Sequence, residues 1–314
     1  MSVGGWEGGG IGKVKYYEFI NYCIKTQYKT DEINLSIISM RIQEFTCFDT
    51  AVGGGNPALV IEDGPAGLEA RLALARERAL TCVVLDAPNE PGTVARLDFV
   101  YPHMRSPLCL HATLAAAQVL FERHGSTAPL TVSTAMRGQH LVLSQDGAEV
   151  FVRLARQDAP QVEVDEALAA RLLDAPKLRL SSAPRIASVG SPKLLLEVMD
   201  PDTLHQLQPD LPALAAWSRE HGVNGCYAWC RTASGEYEGR NFNHLDPLLE
   251  DSATGVAAGA LTVLLGHGLT LRQGRSTGRD CLIRTALEGN AVLIGGRVRQ
   301  EPCADKKTVS IRRL

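Results

Sequence analysis

The sequence predicts an α+β fold of two pseudo-symmetric halves, each a curved, mostly antiparallel sheet or barrel wrapped around a central apolar helix. Two observations predict this fold class. Two stretches combine a polar start with an almost wholly apolar helical run, and strand-like alternation lies on both sides of each. The two stretches also resemble each other, which indicates an internal duplication. A helix that is apolar on all sides must be buried, so each half needs a sheet to cover it.

The duplication rests on two matches in the same order. The polar start Cys109–Thr113 and the polar start Glu250–Gly255 share an Ala-Thr pair at a shift of 141 residues. Upstream, segment 55–62 resembles segment 190–197 at a shift of 135 residues. The second apolar helix is predicted to run to Gly268. Nearly equal shifts favour two similar halves over a chance match.

The first half is predicted to alternate sheet, helix and sheet. Apolar and polar residues alternate from Arg41 onward, which is typical of a half-buried strand. In chain order, the predicted elements are strands 41–48 and 58–61, helix 67–79, strands 81–85 and 95–101, the apolar helix from His111, and strands 130–133, 140–143 and 148–154.

The second half is predicted to repeat this order. Charged residues and prolines mark 155–184 as the connection, with a helical piece at 164–173. The predicted elements that follow are strands 185–189 and 193–198, helix 211–221, strands 225–232 and 238–242, the second apolar helix, and strands 280–286, 291–298 and 309–312.

Domain limits follow from composition. Residues 1–39 hold four of the eight lysines and four of the seven tyrosines, so this segment is predicted to be an appended, partly disordered extension with a short helix at 15–38. The two halves are predicted to span 40–175 and 176–314. An alternative is that the C-terminal strands return to the first half. A chain of 314 residues is long enough for two such cores.

Composition excludes several classes of function. A net charge of −3 and the lack of a basic stripe argue against nucleic acid as a partner. No run of about 20 apolar residues suggests a membrane span, so a cytoplasmic location is expected. Eight cysteines are too sparse for a disulfide framework, and the spacing of Cys226 and Cys230 fits no common zinc pattern. We therefore expect neither a metal nor a cofactor.

The two polar helix starts predict an anion site. The first turn of a helix offers unpaired N–H groups and the positive end of the helix dipole, which favour carboxylates and phosphates. Thr113, Thr254 and Gly255 are the residues expected to hold such a group. Ordinary helix capping is the alternative for each of them.

Five short motifs occur in register along the chain: Gly55–Pro57, Ala75–Glu77, Cys109–Thr113, Arg240 with Phe242, and Glu250–Gly255. Together they resemble the PhzF-like family of phenazine-biosynthesis isomerases, a branch of the diaminopimelate epimerase fold. The resemblance covers about residues 40–298. It implies an active site in the cleft where the N-termini of the two central helices face each other, with Asn56 at the substrate, and a homodimer.

The chain departs from the family pattern at positions that bear on catalysis. The resemblance implies a glutamate as general acid/base where this chain has Cys82, and a glycine where it has Leu110. The proline usual after the second-half aspartate is Ser252, and the following small serine is Val256. By resemblance to the epimerase branch, Cys109 aligns with the first of two catalytic cysteines and Ser252 with the second. Ser252 is predicted to bind the substrate.

The leading prediction is a cofactor-independent isomerase, epimerase or racemase of a small carboxylate-bearing metabolite. Cys82 or Cys109 would move the proton, and His111 and Asp251 would position the substrate. A thiol at a helix N-terminus near a histidine is expected to have a lowered pKa. The alternatives are that the cysteines are ordinary buried core residues and that Asp251 only complements the helix dipole. The alternatives are a non-catalytic ligand-binding protein and a thiol-based dehydratase of hydroxy amino acids.

Overall fold

The computed structural model describes residues 39–50, 53–125, 128–242, 250–302 and 309–310. They belong to one compact unit, which spans Ser39–Ile311. Apart from Ser39, the predicted N-terminal extension and its helix lie outside the described residues.

Six helices and seventeen strands occur in this described part of the chain. The helices are α1 (Leu68–Arg78), α2 (Leu110–His124), α3 (Glu166–Leu172), α4 (Pro201–Gln206), α5 (Leu211–His221) and α6 (Gly255–Leu265). The strands are β1 (Ser39–Asp49), β2 (Asn56–Glu62), β3 (Cys82–Asp86), β4 (Arg96–Val100), β5 (Arg105–Ser106), β6 (Leu130–Thr134), β7 (His140–Asp146), β8 (Glu149–Ala155), β9 (Arg185–Ala187), β10 (Lys193–Glu197), β11 (Cys226–Arg231), β12 (Tyr237–Phe242), β13 (Glu250–Asp251), β14 (Thr270–Gln273), β15 (Cys281–Glu288), β16 (Ala291–Gln300) and β17 (Val309–Ser310).

The first half is a closed barrel of eight strands around α2. Its strand order is β1, β2, β3, β4, β6, β7, β8 and β16, and β16 returns to pair with β1. The pairs β2–β3 and β4–β6 are parallel, and the others in this ring are antiparallel. Parallel neighbours need a crossover, which α1 and α2 supply.

The second half repeats the pairing pattern around α6. Its order is β9, β10, β11, β12, β14, β15 and β16, again with two parallel pairs, β10–β11 and β12–β14. The short strands β5 and β13 lie at equivalent places before the two central helices. β16 pairs with β15 of the second half as well as with β8 and β1 of the first, so it joins the two sheets. These pairings confirm the predicted α+β fold of two similar halves.

Both central helices lie in one shared hydrophobic core. Eleven of the fifteen residues of α2 are buried, and seven of the eleven residues of α6 are buried. The second helix ends at Leu265, three residues before the predicted end, because Gly266 adopts a left-handed φ of 73° and closes the helix. The chain then turns into β14, which the sequence analysis had not predicted.

In the described part of the chain, no helix is long and apolar enough to cross a membrane.

Candidate active site

The N-termini of α2 and α6 open into one cavity between the two halves. Its volume is about 190 Å³, and its wall includes Tyr101, Cys109 and His111 from the first half and Lys193, Asn241 and Asp251 from the second half. Pockets for drug-sized ligands typically measure about 300–1,000 Å³, so this cavity suits a small metabolite.

The helices that face the cavity lack side-chain caps. Neither Cys109 nor Thr254, the N-cap residues of α2 and α6, makes a side-chain capping hydrogen bond. By contrast, α3, α4 and α5 each begin with an aspartate whose carboxylate accepts a bond from a backbone N–H. Apart from the Ala257 N–H, which donates to the Thr254 carbonyl at 3.0 Å, the N–H groups in the first turns of the two central helices remain for a ligand, as an anion site requires.

The two helix starts approach each other closely at Gly255. A Cβ atom at this position would lie 2.8 Å from Leu110 Cδ1 and 3.1 Å from Leu110 Cβ. Glycine is therefore the residue that lets α6 begin directly beside α2. Leu110, which replaces a glycine of the resembled motif, fills the space that Gly255 leaves.

The first helix start, Cys109–Thr113, brings a thiol and an imidazole together. Cys109 Sγ lies 3.4 Å from His111 Nδ1 and 3.7 Å from His111 Nε2, and both side chains are buried. Burial lowers the pKa of His111, but the charges of Cys109 and Asp251 raise it, and the net direction is upward. Burial, and then the contact with Cys109, raise the pKa of Tyr101 well above its usual value. The arrangement places an imidazole with a raised pKa within hydrogen-bond distance of the Cys109 sulfur.

The second helix start, Asp251–Gly255, is held in a hydrogen-bond network. Asp251 Oδ2 accepts a bond of 2.6 Å from Thr254 Oγ1, and its Oδ1 accepts bonds of 3.3 Å from Asn56 Nδ2 and 3.4 Å from the Ala253 N–H. Asn56 belongs to β2, so this carboxylate also ties the first half to the second. The network fixes Asp251 at the cavity wall.

Gln273, the last residue of β14, holds the second helix start through hydrogen bonds. The sequence analysis did not identify it. It is 2% exposed. Its amide nitrogen donates to the Asp251 carbonyl at 2.7 Å and to Thr254 Oγ1 at 3.2 Å. Its carbonyl oxygen accepts from the Thr254 N–H at 3.2 Å and from the Tyr227 hydroxyl at 3.0 Å. A glutamine at the end of a four-residue strand carries no local signal of this role.

Comparison with known proteins decides the family. The family model described as "Phenazine biosynthesis-like protein" matches residues 45–300, which is most of the chain. The chain belongs to this phenazine biosynthesis-like family. The resemblance seen in the sequence motifs is thereby confirmed.

Proteins similar to this chain are named as isomerases or epimerases. An uncharacterized isomerase from Deinococcus radiodurans is 31% identical over 251 residues, which cover 76% of this chain and 80% of that protein. Among solved structures, a predicted epimerase from Pseudomonas aeruginosa is similar with a TM-score of 0.70 at 24% identity, covering 86% of this chain and 100% of that one. A hydroxyproline epimerase from Agrobacterium vitis gives a TM-score of 0.55 at 11% identity over 84% and 91% of the two chains, which shows a shared fold. The predicted enzyme class, isomerase, is confirmed.

Two residues of this family member that the sequence analysis missed lie on the second-half wall. Lys193 is 3% exposed, and its ammonium donates to the Asn224 carbonyl. Burial lowers the pKa of Lys193 to about 8, although the charges of Asp251 and Cys226 oppose the shift. Asn241 is 1% exposed, and its Oδ1 has no hydrogen-bond partner among the described residues. In the sequence, the one signal of such a role was the position of Lys193 directly before three leucines of a predicted strand.

Cys82 lies away from the cavity, against the expectation that it could exchange a proton there. Successive residues of β3 face opposite sides of the sheet. Val83 points to the central core, whereas Cys82 packs in a separate cluster with Leu72 and Ala75 of α1. Burial raises the pKa of the Cys82 thiol to about 11, with a smaller opposing effect of Arg78. Of the two candidate thiols, Cys109 is the one at the cavity.

Ser252 and Thr113 also turn away from the cavity. Ser252 Oγ lies 2.8 Å from Thr277 Oγ1, on the loop after β14. Thr113 is fully buried, and its Oγ1 donates to the Cys109 carbonyl at 2.7 Å, so the hydroxyl is used within the helix. Neither Thr113 nor Ser252 lines the cavity, whereas Thr254 and Gly255 do, so the predicted substrate-binding roles of the first two stay predictions without support from the cavity.

The described residues contain no group of three or more His, Cys, Asp or Glu side chains placed to hold a metal ion.

Proposed function

We propose that this protein is a cofactor-independent isomerase, of the epimerase or racemase type, that moves a proton on a small carboxylate-bearing metabolite. The observation that carries the proposal is the Cys109–His111 pair, 3.4 Å apart, at an uncapped helix N-terminus that shares a cavity with a second uncapped helix N-terminus. A base and two sets of fixed donors are what proton removal beside a carboxylate requires.

The Cys109 thiolate takes the proton from the carbon beside the carboxylate. Protonated His111 stabilises the thiolate. The thiol that forms in the step can return its proton to the same substrate carbon. The negative charge that develops on the substrate carboxylate is met by the free N–H groups at the start of α6, near Gly255. Donors that are already oriented cost no rearrangement during the reaction, which is why they stabilise the transition state.

Asp251 positions the substrate, and Asn56 helps to hold the Asp251 carboxylate. The Asp251 carboxylate is held by three hydrogen bonds, so its place at the wall is fixed before a ligand binds. A fixed carboxylate suits an ammonium or hydroxyl group on the substrate carbon. An amino acid or a hydroxy acid is therefore the substrate class that fits this wall.

The test is hydrogen exchange in deuterated water. The purified protein is incubated with L-alanine, L-serine, L-glutamate, L-proline and L-lactate, and NMR follows the loss of the proton at the α-carbon. The wild-type protein is expected to exchange at least one of them. Cys109→Ser is expected to reduce the rate by on the order of 10³, the size of effect typical for a general base. Cys82→Ser is the matched control and is expected to keep the rate.

Three outcomes would contradict the proposal. Binding of a ligand without any exchange would indicate the non-catalytic alternative. An olefinic or keto product would indicate the dehydratase. Exchange that survives Cys109→Ser but not Cys82→Ser would show that Cys82, and not Cys109, removes the proton.

A further inference from the structure

We propose that Lys193 is the second proton-transfer group of the site, which protonates the substrate carbon on the face opposite to Cys109. The inference rests on the proposed function and adds the residue that allows inversion. A single base that removes and returns a proton on one face exchanges it without changing configuration. Inversion requires a donor on the other face.

The residue at the position of the second catalytic cysteine of the epimerase branch does not line the cavity. Ser252 aligns with the second catalytic cysteine of the epimerase branch, but its hydroxyl contacts Thr277. The second-half wall of the cavity therefore needs another donor. Apart from Asp251, which is fixed by its hydrogen bonds, the titratable side chain on this wall is Lys193.

Comparison of the two halves shows that Lys193 breaks an apolar pattern. Leu59 pairs with Cys82 in the first half as Leu194 pairs with Cys226 in the second, so Ala58 and Lys193 occupy equivalent positions. Ala58 is fully buried in the core. The duplication thus placed a lysine where the other half has a methyl group, at a site that opens into the cavity.

The same comparison applies to Asn241. Val83 pairs with Phe99 as Tyr227 pairs with Asn241, so the phenylalanine of the first half is replaced by an amide in the second. Asn241 Oδ1 is buried without a partner among the described residues. A buried, unpaired polar atom is costly, and such atoms are retained where a ligand completes them. The two polar replacements lie on the same wall and indicate that a ligand occupies it.

The surroundings of Lys193 hold its nitrogen in place without neutralising it. The ammonium donates to the Asn224 carbonyl, and no carboxylate of the described residues forms an ion pair with it. The charged and titratable groups around it are Asp251 and Cys226, which act on its pKa, and His103, His111 and Arg137, which share the cavity. Burial brings the pKa of Lys193 to about 8, close to the range in which a lysine can both give and take a proton.

The proton balance is closed by the two residues. Cys109 thiolate accepts the proton, the electrons of the broken C–H bond pass into the carboxylate-stabilised carbanion, and an S–H bond forms. Lys193 ammonium then gives an N–H proton to the opposite face, so that a new C–H bond forms and a neutral amine remains. Exchange of both groups with water restores the thiolate and the ammonium. The reverse reaction begins with the amine and the thiol.

The experiment compares exchange with inversion in deuterated water. The probe is whichever enantiopure acid of the panel the wild-type protein exchanges. NMR measures deuterium incorporation, and chiral chromatography measures the opposite enantiomer. Lys193→Arg keeps the positive charge but cannot give up a proton near neutral pH, whereas Lys193→Met removes both. Exposed Lys177→Arg and Lys177→Met are the matched controls.

The expected result is a separation of the two rates. Both Lys193 variants should invert the substrate at least 100-fold more slowly, while exchange with retained configuration stays within about threefold. Inversion by Lys193→Arg at the wild-type rate would overturn the inference and leave Lys193 as a charge that only binds the substrate. A parallel fall of exchange and inversion in both variants would overturn it too. Lack of exchange by the wild-type protein would instead refute the proposed function itself.

Discussion

The two helix starts share a backbone design but carry opposite kinds of side chain. The first helix start, Cys109–Thr113, presents a thiol and an imidazole that contact each other at the cavity. The second, Asp251–Gly255, presents a carboxylate whose oxygens are already bonded to Thr254, Asn56 and a backbone N–H. The duplicated helix ends have therefore diverged, and under the proposed function the first carries the reactive group and the second holds the substrate.

The comparison also shows what the site costs in stability. An N-cap side chain is worth about 0.5–2 kcal/mol, and α3, α4 and α5 each have one. The central helices, α2 and α6, have no capping hydrogen bond from an N-cap side chain and lack this contribution. Their apolar burial holds them in place, which leaves their first-turn N–H groups free for a ligand.

The largest expected effect separates activity from stability at the first helix start. Cys109→Ser removes the thiolate and should slow α-proton exchange by on the order of 10³. Serine is a good N-cap residue, so the free energy of unfolding should stay the same or rise by about 1 kcal/mol. Urea denaturation together with the exchange assay checks both. A fall of more than about 2 kcal/mol would mean that the thiol has a structural role.

The second helix start should depend on Gln273 for its stability. Gln273→Leu leaves the buried Thr254 N–H and Tyr227 hydroxyl without their acceptor, and should lower the free energy of unfolding by about 3 kcal/mol. Gln118, half-buried on α2 with an exposed hydrogen bond to Glu122, is the control, and Gln118→Leu should change the free energy of unfolding by less than about 0.5 kcal/mol. Equal effects in the two variants would show that the network does not hold the second start.

Lys193 should oppose folding at neutral pH. Its pKa falls from 10.5 to about 8 on folding, so the charged form is penalised in the folded state. Lys193→Met should therefore raise the free energy of unfolding at pH 7 by about 2 kcal/mol. Lys177→Met serves as the control and should have little effect.

The sign of the pH dependence follows from the lowered pKa. Below pH 8 the lysine is charged in both states and the full penalty applies; above pH 10.5 it is neutral in both and no penalty remains. The stability of the wild-type protein should rise relative to Lys193→Met as the pH increases from 8 to 10.5. Denaturation curves at pH 7, 9 and 10 check this, and parallel curves would contradict it.

The smallest effect concerns the distance between the two starts. Gly255→Ala places a methyl group 2.8 Å from Leu110 Cδ1, and the leucine must shift to admit it. We expect a loss of about 1 kcal/mol in the free energy of unfolding. Leu110→Ala in the same chain should recover part of it if the clash is the cause. No recovery in this double variant would place the strain elsewhere.

The sequence by itself determined the duplication, the α+β class and the two helix starts. These features rest on periodic apolar runs and on motifs of a few adjacent residues, which local sequence expresses directly. The contact between Cys109 and His111 could also be anticipated, because only Leu110 separates them at the beginning of one helix. The same local argument missed β14 and the earlier end of α6 at Gly266.

Only the tertiary structure decided which candidates meet in the cavity. Cys82 and Val83 are neighbours in the chain, but the alternation along β3 sends one to the outer cluster and the other to the central core. Gln273, Asn241 and Lys193 come to the second start from three different strands. A side chain's face and its distant neighbours are set by how whole strands pair and pack, and no local pattern records that packing.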